Sequence, residues 1–239
     1  MRLRDFSVLT FDCYGTLIDW ETGIWNAFAP TLARASVTSG RDQVLDAFGR
    51  AESAQQEATP GMLYPALLAE VHNAMCREFG IEPDAAAAQA FGASVPDWPA
   101  FADTPDALAY LKRHYRLVIL SNVDRASFAR SNERLGVDFD AVFTAQDIGS
   151  YKPNPRNFKY MLEKLGAAGI GREQILHTAE SLFHDHVQAR RFGLACCWIT
   201  RRHGEGATAS GRPGTGLLPD FRFESLGAMA DAHRREEAG

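Results

Sequence analysis

The stretch Val8-Leu9-Thr10-Phe11-Asp12-Cys13-Tyr14-Gly15-Thr16-Leu17 decides the fold. Its first four residues are apolar or β-branched, which predicts a short buried strand. Asp12 follows directly, so its carboxylate is expected at the mouth of a buried sheet and not on a solvated face. Gly15 permits a tight turn, and the Thr16 hydroxyl can donate a hydrogen bond to that carboxylate. The stretch therefore predicts a strand that ends in a held carboxylate.

Similar short apolar runs recur along the chain and alternate with helical patterns. This alternation is typical of parallel βαβ units and predicts an α/β fold with a Rossmann-like, doubly wound parallel sheet. The predicted strands are Val8 to Phe11, Leu117 to Leu120, Ala141 to Phe143, Ile175 to Thr178, Cys196 to Ile199 and Phe221 to Phe223. The predicted helices between them cover about residues 104–114, 126–135, 155–165, 184–192 and 225–235, with Asn154-Pro155 as an N-cap and a first helical position.

One segment breaks this rhythm. From about Asp19 to Ser94 the sequence shows amphipathic helix and no convincing strand, which predicts a helical insertion. We therefore expect a core of residues 1–18 and 95–239 and a helical cap of residues 19–94. The glycine-rich stretch from Gly204 to Gly216 predicts a mobile surface loop, to which we assign no function.

Polar and charged residues follow each of the first four predicted core strands. In an open parallel sheet the carboxyl ends of the strands meet at one crevice, where ligands bind. A carboxylate held there can act as a nucleophile and form a covalent ester intermediate, although an aspartate at this position can also serve only to cap the next helix. The residues delivered to the crevice are Asp12, Ser121, Asn122, Lys152, Glu180 and Asp185.

The order of these motifs resembles the haloacid dehalogenase superfamily of hydrolases. The similarity rests on D-x-Y-G-T-L after the first strand, S-N after the second, K-P before a helix and an acidic segment after the fourth strand. It covers nearly the whole chain, including a helical cap after the first motif. The resemblance implies that Asp12 is the nucleophile, assisted by Thr16 and Asp185. It also implies that Ser121 and Asn122 bind substrate and that Lys152 holds the charge of Asp12 and of the ligand.

Tyr14 bears on the branch of that superfamily. The phosphatases usually carry a second aspartate two residues after the nucleophile, where it protonates the departing alkoxide. Tyrosine, with an ordinary pKa near 10, is a poor general acid at neutral pH, and a halide leaving group needs no proton. D-x-Y-G-T is the pattern of the L-2-haloacid dehalogenases. The resemblance thus implies displacement of halide from a small 2-halo acid by Asp12, with no cofactor required.

Other positions favour the phosphatases. The fourth motif reads Glu180, Ser181, Leu182 and then Asp185, where the dehalogenases typically show S-S-N-x-x-D, and Phe158 stands where they usually carry tyrosine. Up to three carboxylates in one crevice against Lys152 call for a protonated carboxyl or a further cation. A Mg²⁺ ion bound by Asp12, Glu180 and the Tyr14 carbonyl is the corresponding hypothesis, and a Mg²⁺-dependent phosphatase is the alternative function.

The cap is expected to select the substrate. Arg50 is the candidate for pairing with a substrate carboxylate or receiving halide, although a solvated helix arginine is an equal alternative. His184 and His186 flank Asp185, but this spacing does not place both rings on one helical face. An apolar wall around the reaction is predicted from aromatic residues at Tyr14, Trp20, Phe48 and Tyr64.

Composition limits the remaining classes. Twenty-five Lys and Arg against 30 Asp and Glu give a net charge of -5, which argues against binding to nucleic acid. No apolar run exceeds strand length, and four cysteines without C-x-x-C spacing indicate reduced, packed thiols, so we expect a cytoplasmic protein with no membrane segment. Its expected partner is a small carboxylate or phosphate substrate. A homodimer through an apolar cap face and a catalytically silent binding protein remain alternatives.

Overall fold

The computed structural model describes residues 1–201 and 218–239. The predicted loop from Gly204 to Gly216 therefore lies outside the described residues. The strands are β1 (Val8–Phe11), β2 (Arg116–Ser121), β3 (Ala141–Thr144), β4 (Ile175–Ala179), β5 (Ala195–Ile199) and β6 (Phe221–Phe223). The helices are α1 (Trp20–Arg34), α2 (Arg41–Ala58), α3 (Tyr64–Glu78), α4 (Ala85–Gly92), α5 (Thr104–Leu111), α6 (Arg125–Leu135), α7 (Ala145–Ile148), α8 (Pro155–Ala167), α9 (Val187–Arg191) and α10 (Leu226–Ala238).

The strands form one parallel sheet in the order β3-β2-β1-β4-β5-β6. This order confirms the predicted doubly wound α/β fold, and all six predicted strands are present. The chain passes from β1 to β2 and β3 on one side, then crosses back to β4 beside β1 and continues to β5 and β6 on the other side. The strand order therefore reverses between β1 and β4. The crevice of such a sheet opens at this reversal, beyond the carboxyl ends of the two strands.

Alternating side chains bury the sheet on both faces. Leu9 and Phe11 of β1 belong to an apolar cluster with residues of α5, α6 and α10, whereas Val8 belongs to a second cluster with residues of α8 and α9. Because neighbouring residues of a strand point to opposite faces, the continuous apolar run that predicted β1 supplies both clusters.

Four helices, α1 to α4, lie between β1 and β2 and pack on one another. Asp19 caps α1, where its side chain accepts a hydrogen bond from the Thr22 amide, and its own amide donates to the Pro99 carbonyl at 2.8 Å. An antiparallel bridge between Ile18 and Ala100 lies beside this contact. The chain therefore leaves and rejoins the sheet at one point. The division into a core of residues 1–18 and 95–239 and a cap of residues 19–94 remains a prediction.

The predicted helix 184–192 differs from its expected form. The chain forms a π-helix over Leu182–His186 and only then continues as α9. The Ser181 carbonyl accepts from the amides of both Asp185 and His186, each at 3.3 Å, and the second of these is the wide π-helical bond. Such π turns are frequently found at functional sites.

Two sequence expectations about local chemistry are confirmed. Asn154 caps α8, where its side chain accepts from the Arg156 amide at 3.0 Å, with Pro155 as the first helical residue. The cysteines are unpaired and buried. None of the helices that the structure describes combines the length and the apolar composition needed to cross a lipid bilayer.

Candidate active site

A cleft that is partly open to solvent lies beyond the carboxyl ends of β1 and β4. Side chains from the segments that follow the strands form its floor, and side chains from α2 and α3 form its roof. Its lining comprises Asp12, Tyr14, Trp20, Phe48, Gly49, Glu52, Ser53, Gln56, Tyr64, Trp98, Asn122, Val123, Lys152, Glu180, Ser181, His184 and Asp185. Acidic, basic and aromatic side chains distant in sequence thus line one cleft.

Asp12 lies at the floor, directly after β1. Its Oδ1 accepts from the Lys152 ammonium at 2.8 Å, and its Oδ2 accepts from the Thr16 hydroxyl at 2.9 Å. Burial raises the pKa of Asp12 above its ordinary value, although Lys152 acts in the opposite direction. The hydrogen bond predicted from Thr16 is therefore present, and both oxygens of the carboxylate are held in place.

Lys152 is the cation of the floor, and its side chain is 1% exposed. Besides Asp12, its ammonium group donates to Asp185 Oδ1 at 2.7 Å and to the Leu120 carbonyl at 2.9 Å. Burial alone lowers the pKa of a lysine, but the charges of Asp12 and Asp185 outweigh it and raise the pKa of Lys152. Its three donors are all engaged within the protein.

Asp185 reaches the floor from the π-helix. Its Oδ1 accepts from Lys152 and lies 3.1 Å from His177 Nε2, while its Oδ2 is buried with no hydrogen-bond partner among the described residues. Burial raises the pKa of a carboxyl group, but Lys152 and His177 together lower the pKa of Asp185 below its ordinary value. Asp185 is thus held ionised, with one oxygen available for a further donor.

Thr16 connects the first and fourth motifs. Its hydroxyl donates to Asp12 and accepts from the backbone amide of Glu180 at 2.9 Å. Glu180 itself lines the cleft. Because one hydroxyl joins both segments, the loops after β1 and β4 are fixed relative to each other.

Ser121 and Asn122 follow β2, as predicted, but they have different surroundings. Ser121 is buried, and its hydroxyl forms no hydrogen bond within the described residues. The Asn122 side chain accepts from the Lys152 amide at 2.6 Å and donates to the Lys152 carbonyl at 3.0 Å. Asn122 also lines the cleft, and its two bonds to the Lys152 backbone use one donor and one acceptor of its amide, so substrate binding by Asn122 stays a prediction.

The four predicted aromatic residues line the cleft. The Tyr14 hydroxyl hydrogen-bonds to Ser131 Oγ at 2.8 Å, and burial raises its pKa well above the usual value. The Tyr14 ring meets the Trp98 ring edge to face, with centroids 5.5 Å apart. Tyr14 therefore offers the cleft an aromatic surface and no acidic proton.

Arg50 lies outside the cleft, contrary to expectation. Its side chain is 63% exposed and pairs with Glu78 at 2.6 Å. The α2 residues that line the cleft are spaced i, i+1, i+4, i+5 and i+8 from Phe48. At about 100° per residue, position 50 lies roughly 200° around the helix from position 48, so its side chain points away.

The two histidines beside Asp185 point in different directions. His184 lines the cleft, its Nδ1 lies 3.0 Å from Ser181 Oγ, and burial lowers its pKa to about 4. His186 Nε2 hydrogen-bonds to the Ala179 carbonyl at 2.9 Å, which fixes that ring against β4. A neutral imidazole of His184 is thus a polar, uncharged part of the wall at neutral pH.

Three further residues contribute to the site without having been predicted from the sequence. His177, inside β4, supports Asp185, while Glu52 and Gln56 form part of the roof. A histidine within an apolar strand was a signal for the first. Glu52 and Gln56 lie on the same face of α2 as Phe48. The helical period of 3.6 residues would have identified them from the position of Phe48.

A metal would draw on the carboxylates of the floor. Within residues 1–201 and 218–239 no group of three or more His, Cys, Asp and Glu side chains could hold an ion. A site made from Asp12, Glu180 and the Tyr14 carbonyl, as predicted, would be completed by water. Its hard oxygen ligands suit Mg²⁺, and the unpartnered Asp185 Oδ2 is compatible with a bound water there.

Comparison with known proteins gives one family and one fold. A family model for haloacid dehalogenase-like hydrolases matches residues 6–178. The pyrimidine 5'-nucleotidase YjjG of Escherichia coli (strain K12) is 29% identical over 96 residues, which are 39% of this chain and 39% of that protein.

Solved structures match over nearly the whole chain. The defluorinating L-2-haloacid dehalogenase Rha0230 has a TM-score of 0.78 and 21% identity, covering 96% of this chain and 95% of its own. The L-2-haloacid dehalogenase from Xanthobacter autotrophicus with covalently bound chloropropionic acid has a TM-score of 0.78 and 19% identity, with 96% and 98% covered. The HAD-hydrolase YfnB from Bacillus subtilis, bound to magnesium, has a TM-score of 0.74 and 19% identity, with 97% and 98% covered. At these identities the similarity establishes the fold.

Proposed function

The chain belongs to the haloacid dehalogenase-like hydrolase family, and from this premise we propose that it hydrolyses a small 2-halo carboxylic acid through an ester on Asp12. The observation that supports the proposal is the state of the Tyr14 hydroxyl. This hydroxyl is bonded to Ser131, and its pKa lies well above the usual value. The position two residues after Asp12 therefore supplies no proton to a leaving group, and halide is a leaving group that needs none.

In the first step, Asp12 attacks C2 of the substrate. A bond forms between a carboxylate oxygen of Asp12 and C2, and the carbon–halogen bond breaks with its electron pair leaving on the halide. Lys152 and Thr16 hold the attacking carboxylate at 2.8 and 2.9 Å, which fixes its orientation before substrate arrives. Attack opposite the departing halide inverts the configuration at C2.

In the second step, water attacks the carbonyl carbon of the Asp12 ester. The bond between that carbon and the ester oxygen breaks, one proton of the water passes to the departing oxygen to give the 2-hydroxy acid, and the other is released to solvent as the Asp12 carboxylate is restored. Esterification removes the charge of Asp12, so Lys152 then pairs with Asp185 alone. The unpartnered Asp185 Oδ2 can accept a hydrogen bond from the water.

The experiment follows halide and phosphate release from 2-chloropropionate, fluoroacetate and p-nitrophenyl phosphate, each with and without Mg²⁺. Halide release without metal supports the proposal. Asp12→Asn should lower turnover by about a thousandfold or more, because an amide is a far weaker nucleophile than a carboxylate. Asp231→Asn, at an exposed site on α10, is the matched control.

Labelled water tests the intermediate directly. Repeated turnover in ¹⁸O-water should place the label in the Asp12 carboxyl, since water attacks its carbonyl carbon. Unlabelled Asp12 after many turnovers, or wild-type activity in Asp12→Asn, would reject the mechanism. Inactivity on all three substrates would favour a binding protein built on the same scaffold.

A Mg²⁺-dependent phosphatase is the second candidate, because Glu180 lines the same cleft as Asp12 and Asp185. The resemblance to a pyrimidine 5'-nucleotidase supports this alternative. Asp12, Glu180 and the Tyr14 carbonyl would hold the ion, which would offset the negative charge of a phosphoryl group. Calorimetric titration of Mg²⁺ into wild type and Glu180→Ala distinguishes the candidates. Heat only in wild type, with metal-dependent phosphate release, favours the phosphatase, and no heat in either protein rejects it.

A further inference from the structure

The roof of the cleft carries polar side chains, whereas the alkyl chain of a simple haloalkanoate carries no polar group that could contact them. Helix α2 presents Glu52 and Gln56 to the cleft, one and two turns after Phe48. Gln56 is 9% exposed, and its amide forms no hydrogen bond within the part of the chain that the structure describes. The amide keeps contact with solvent in the cleft, so a ligand that displaces this solvent costs free energy unless it offers a hydrogen bond in return.

Glu52 is the charged group of this roof. Its Oε1 accepts from the Tyr64 hydroxyl at 2.7 Å, and no lysine, arginine or histidine in residues 1–201 or 218–239 forms an ion pair with it. Burial raises the pKa of Glu52 to about 7. The carboxylate is therefore kept in a poorly hydrated position where a donor from outside the protein would stabilise it.

The floor offers no compensating donor to the roof. The three donors of Lys152 are taken by Asp12, Asp185 and the Leu120 carbonyl. The pKa of His184, lowered to about 4 by burial, leaves that ring uncharged at neutral pH. A second carboxylate on the substrate would thus meet Glu52, while Lys152, the cation of the described lining, is already paired with Asp12 and Asp185. A bare alkyl chain would leave Gln56 without a partner and Glu52 with Tyr64 alone.

We propose that Glu52 and Gln56 form a subsite for the non-reacting end of the substrate, and that this end carries a hydrogen-bond donor, best an ammonium group. The inference rests on the proposed function in placing the reacting end at Asp12. Glu52 accepts from the donor, and Gln56 orients the group that bears it. Substrates whose far end is methyl or carboxylate therefore bind less tightly than substrates whose far end is ammonium.

The test compares probes that differ only at the far end. L-2-chloro-4-aminobutanoate, L-2-chloropentanoate and L-2-chloroglutarate carry ammonium, methyl and carboxylate groups on equivalent chains. O-phosphoethanolamine, propyl phosphate and 3-phosphooxypropanoate form a parallel series with a phosphoryl reacting end. Binding is measured in Asp12→Asn protein through the fluorescence of Trp20 and Trp98, which both line the cleft.

We expect the ammonium probe of at least one series to bind about tenfold more tightly than its methyl counterpart, and more tightly still than its carboxylate counterpart. Adding Glu52→Gln should reduce this preference to within about threefold, because the neutral amide keeps the shape and removes the charge. Glu57→Gln, on an exposed position of the same helix, should preserve the preference.

Equal or tighter binding of the methyl or carboxylate probes overturns the subsite, as does an unchanged preference in Glu52→Gln. Absence of binding by all six probes overturns it as well. Turnover is scored separately in the wild-type protein. If the probes bind in the expected order but the wild-type protein releases no halide, the subsite is supported and dehalogenation is rejected. If halide is released but the probes do not bind in the expected order, dehalogenation is supported and the subsite is rejected.

Discussion

His177 has both ring nitrogens engaged inside the sheet. Its Nδ1 lies 2.9 Å from the Thr10 hydroxyl on the neighbouring strand, and its Nε2 lies 3.1 Å from Asp185 Oδ1. Because a carboxylate only accepts hydrogen bonds, Nε2 donates its proton to Asp185, and Nδ1 shares a hydrogen bond with the Thr10 hydroxyl. The Phe158 ring packs edge to face against the imidazole, with centroids 5.0 Å apart. His177 therefore positions Asp185 without touching the cleft.

We expect His177→Gln to lower kcat by roughly tenfold to a hundredfold and to leave KM within about threefold. The cause is loss of the fixed orientation of Asp185, which the reaction needs after substrate has bound. Steady-state kinetics measure the split, and His114→Gln, at an exposed position, is the control. Wild-type kcat in folded His177→Gln would show that the ring only fills the core.

At the scale of elements, α2 carries a half-buried carboxyl group, Glu52, on its cleft-facing side. The pKa of Glu52 is raised by burial to about 7, so the folded protein binds this proton more tightly than the unfolded chain does. Ionisation of Glu52 therefore lowers stability progressively from about pH 4.5 to pH 7. Below that window the penalty is absent, and above it the penalty is complete.

Glu52→Gln should raise the free energy of unfolding by roughly 2 kcal/mol at pH 8 and by little at pH 5. The amide can still accept from Tyr64 and carries no charge to desolvate. Urea denaturation at the two pH values gives the difference, with Glu57→Gln as the exposed control on the same helix. An equal gain at both pH values would contradict the assignment of the penalty to the charge of Glu52.

Helices α3 and α4 approach each other closely at Gly92. A Cβ placed on Gly92 would lie 2.3 Å from the Pro65 carbonyl oxygen, which is backbone and cannot rotate away. Gly166, in α8, has nothing within 4 Å of the same position. Two helical glycines thus stand in opposite surroundings and form a matched pair.

Gly92→Ala should lower the free energy of unfolding by about 1–3 kcal/mol, because the two helices must separate to admit the methyl group. Gly166→Ala should raise it by about 0.5–1 kcal/mol through the better helix propensity of alanine. Urea denaturation of both variants checks the opposite signs. Stabilisation by Gly92→Ala would show that α3 and α4 are not in close contact there.

At the scale of the whole molecule, Lys152 joins segments that follow different strands. Its ammonium group contacts Asp12 after β1, the Leu120 carbonyl of β2 and Asp185 after β4, while its backbone is held by Asn122. A lysine removed from this position leaves two carboxylates buried without a cation. Such a loss typically costs several kcal/mol.

We expect Lys152→Met to lower the free energy of unfolding by about 3–5 kcal/mol and to abolish activity. Adding Asp185→Asn should recover part of that loss, because one of the two facing carboxylates is neutralised. Lys159→Met, with an exposed side chain on α8, is the control. Urea denaturation of the wild type, the single variants Lys152→Met, Asp185→Asn and Lys159→Met, and the double variant tests the expectation, and an additive loss in the double variant would refute it.

The sequence by itself determined the sheet, its helical insertion and the strand ends that bear the chemistry. Short apolar runs fix strands locally, and parallel strands bring their carboxyl ends together, so Asp12, Thr16, Lys152 and Asp185 could be assigned to one crevice in advance. The hydrogen bond from Thr16 to Asp12 followed from a spacing of four residues across a turn, which is also local.

Only the tertiary structure decided how the side chains are shared within the crevice. The Asn122 side chain hydrogen-bonds to the Lys152 backbone, and Arg50 points outward and pairs with Glu78. His177 contacts Asp185 because a π-helix places Asp185 there, and residue propensities do not predict that π-helix. These outcomes depend on the rotation of a helix and on partners far away in sequence. Local preferences set where an element lies, but the competition for hydrogen bonds and charges in a packed interior sets what each polar side chain does.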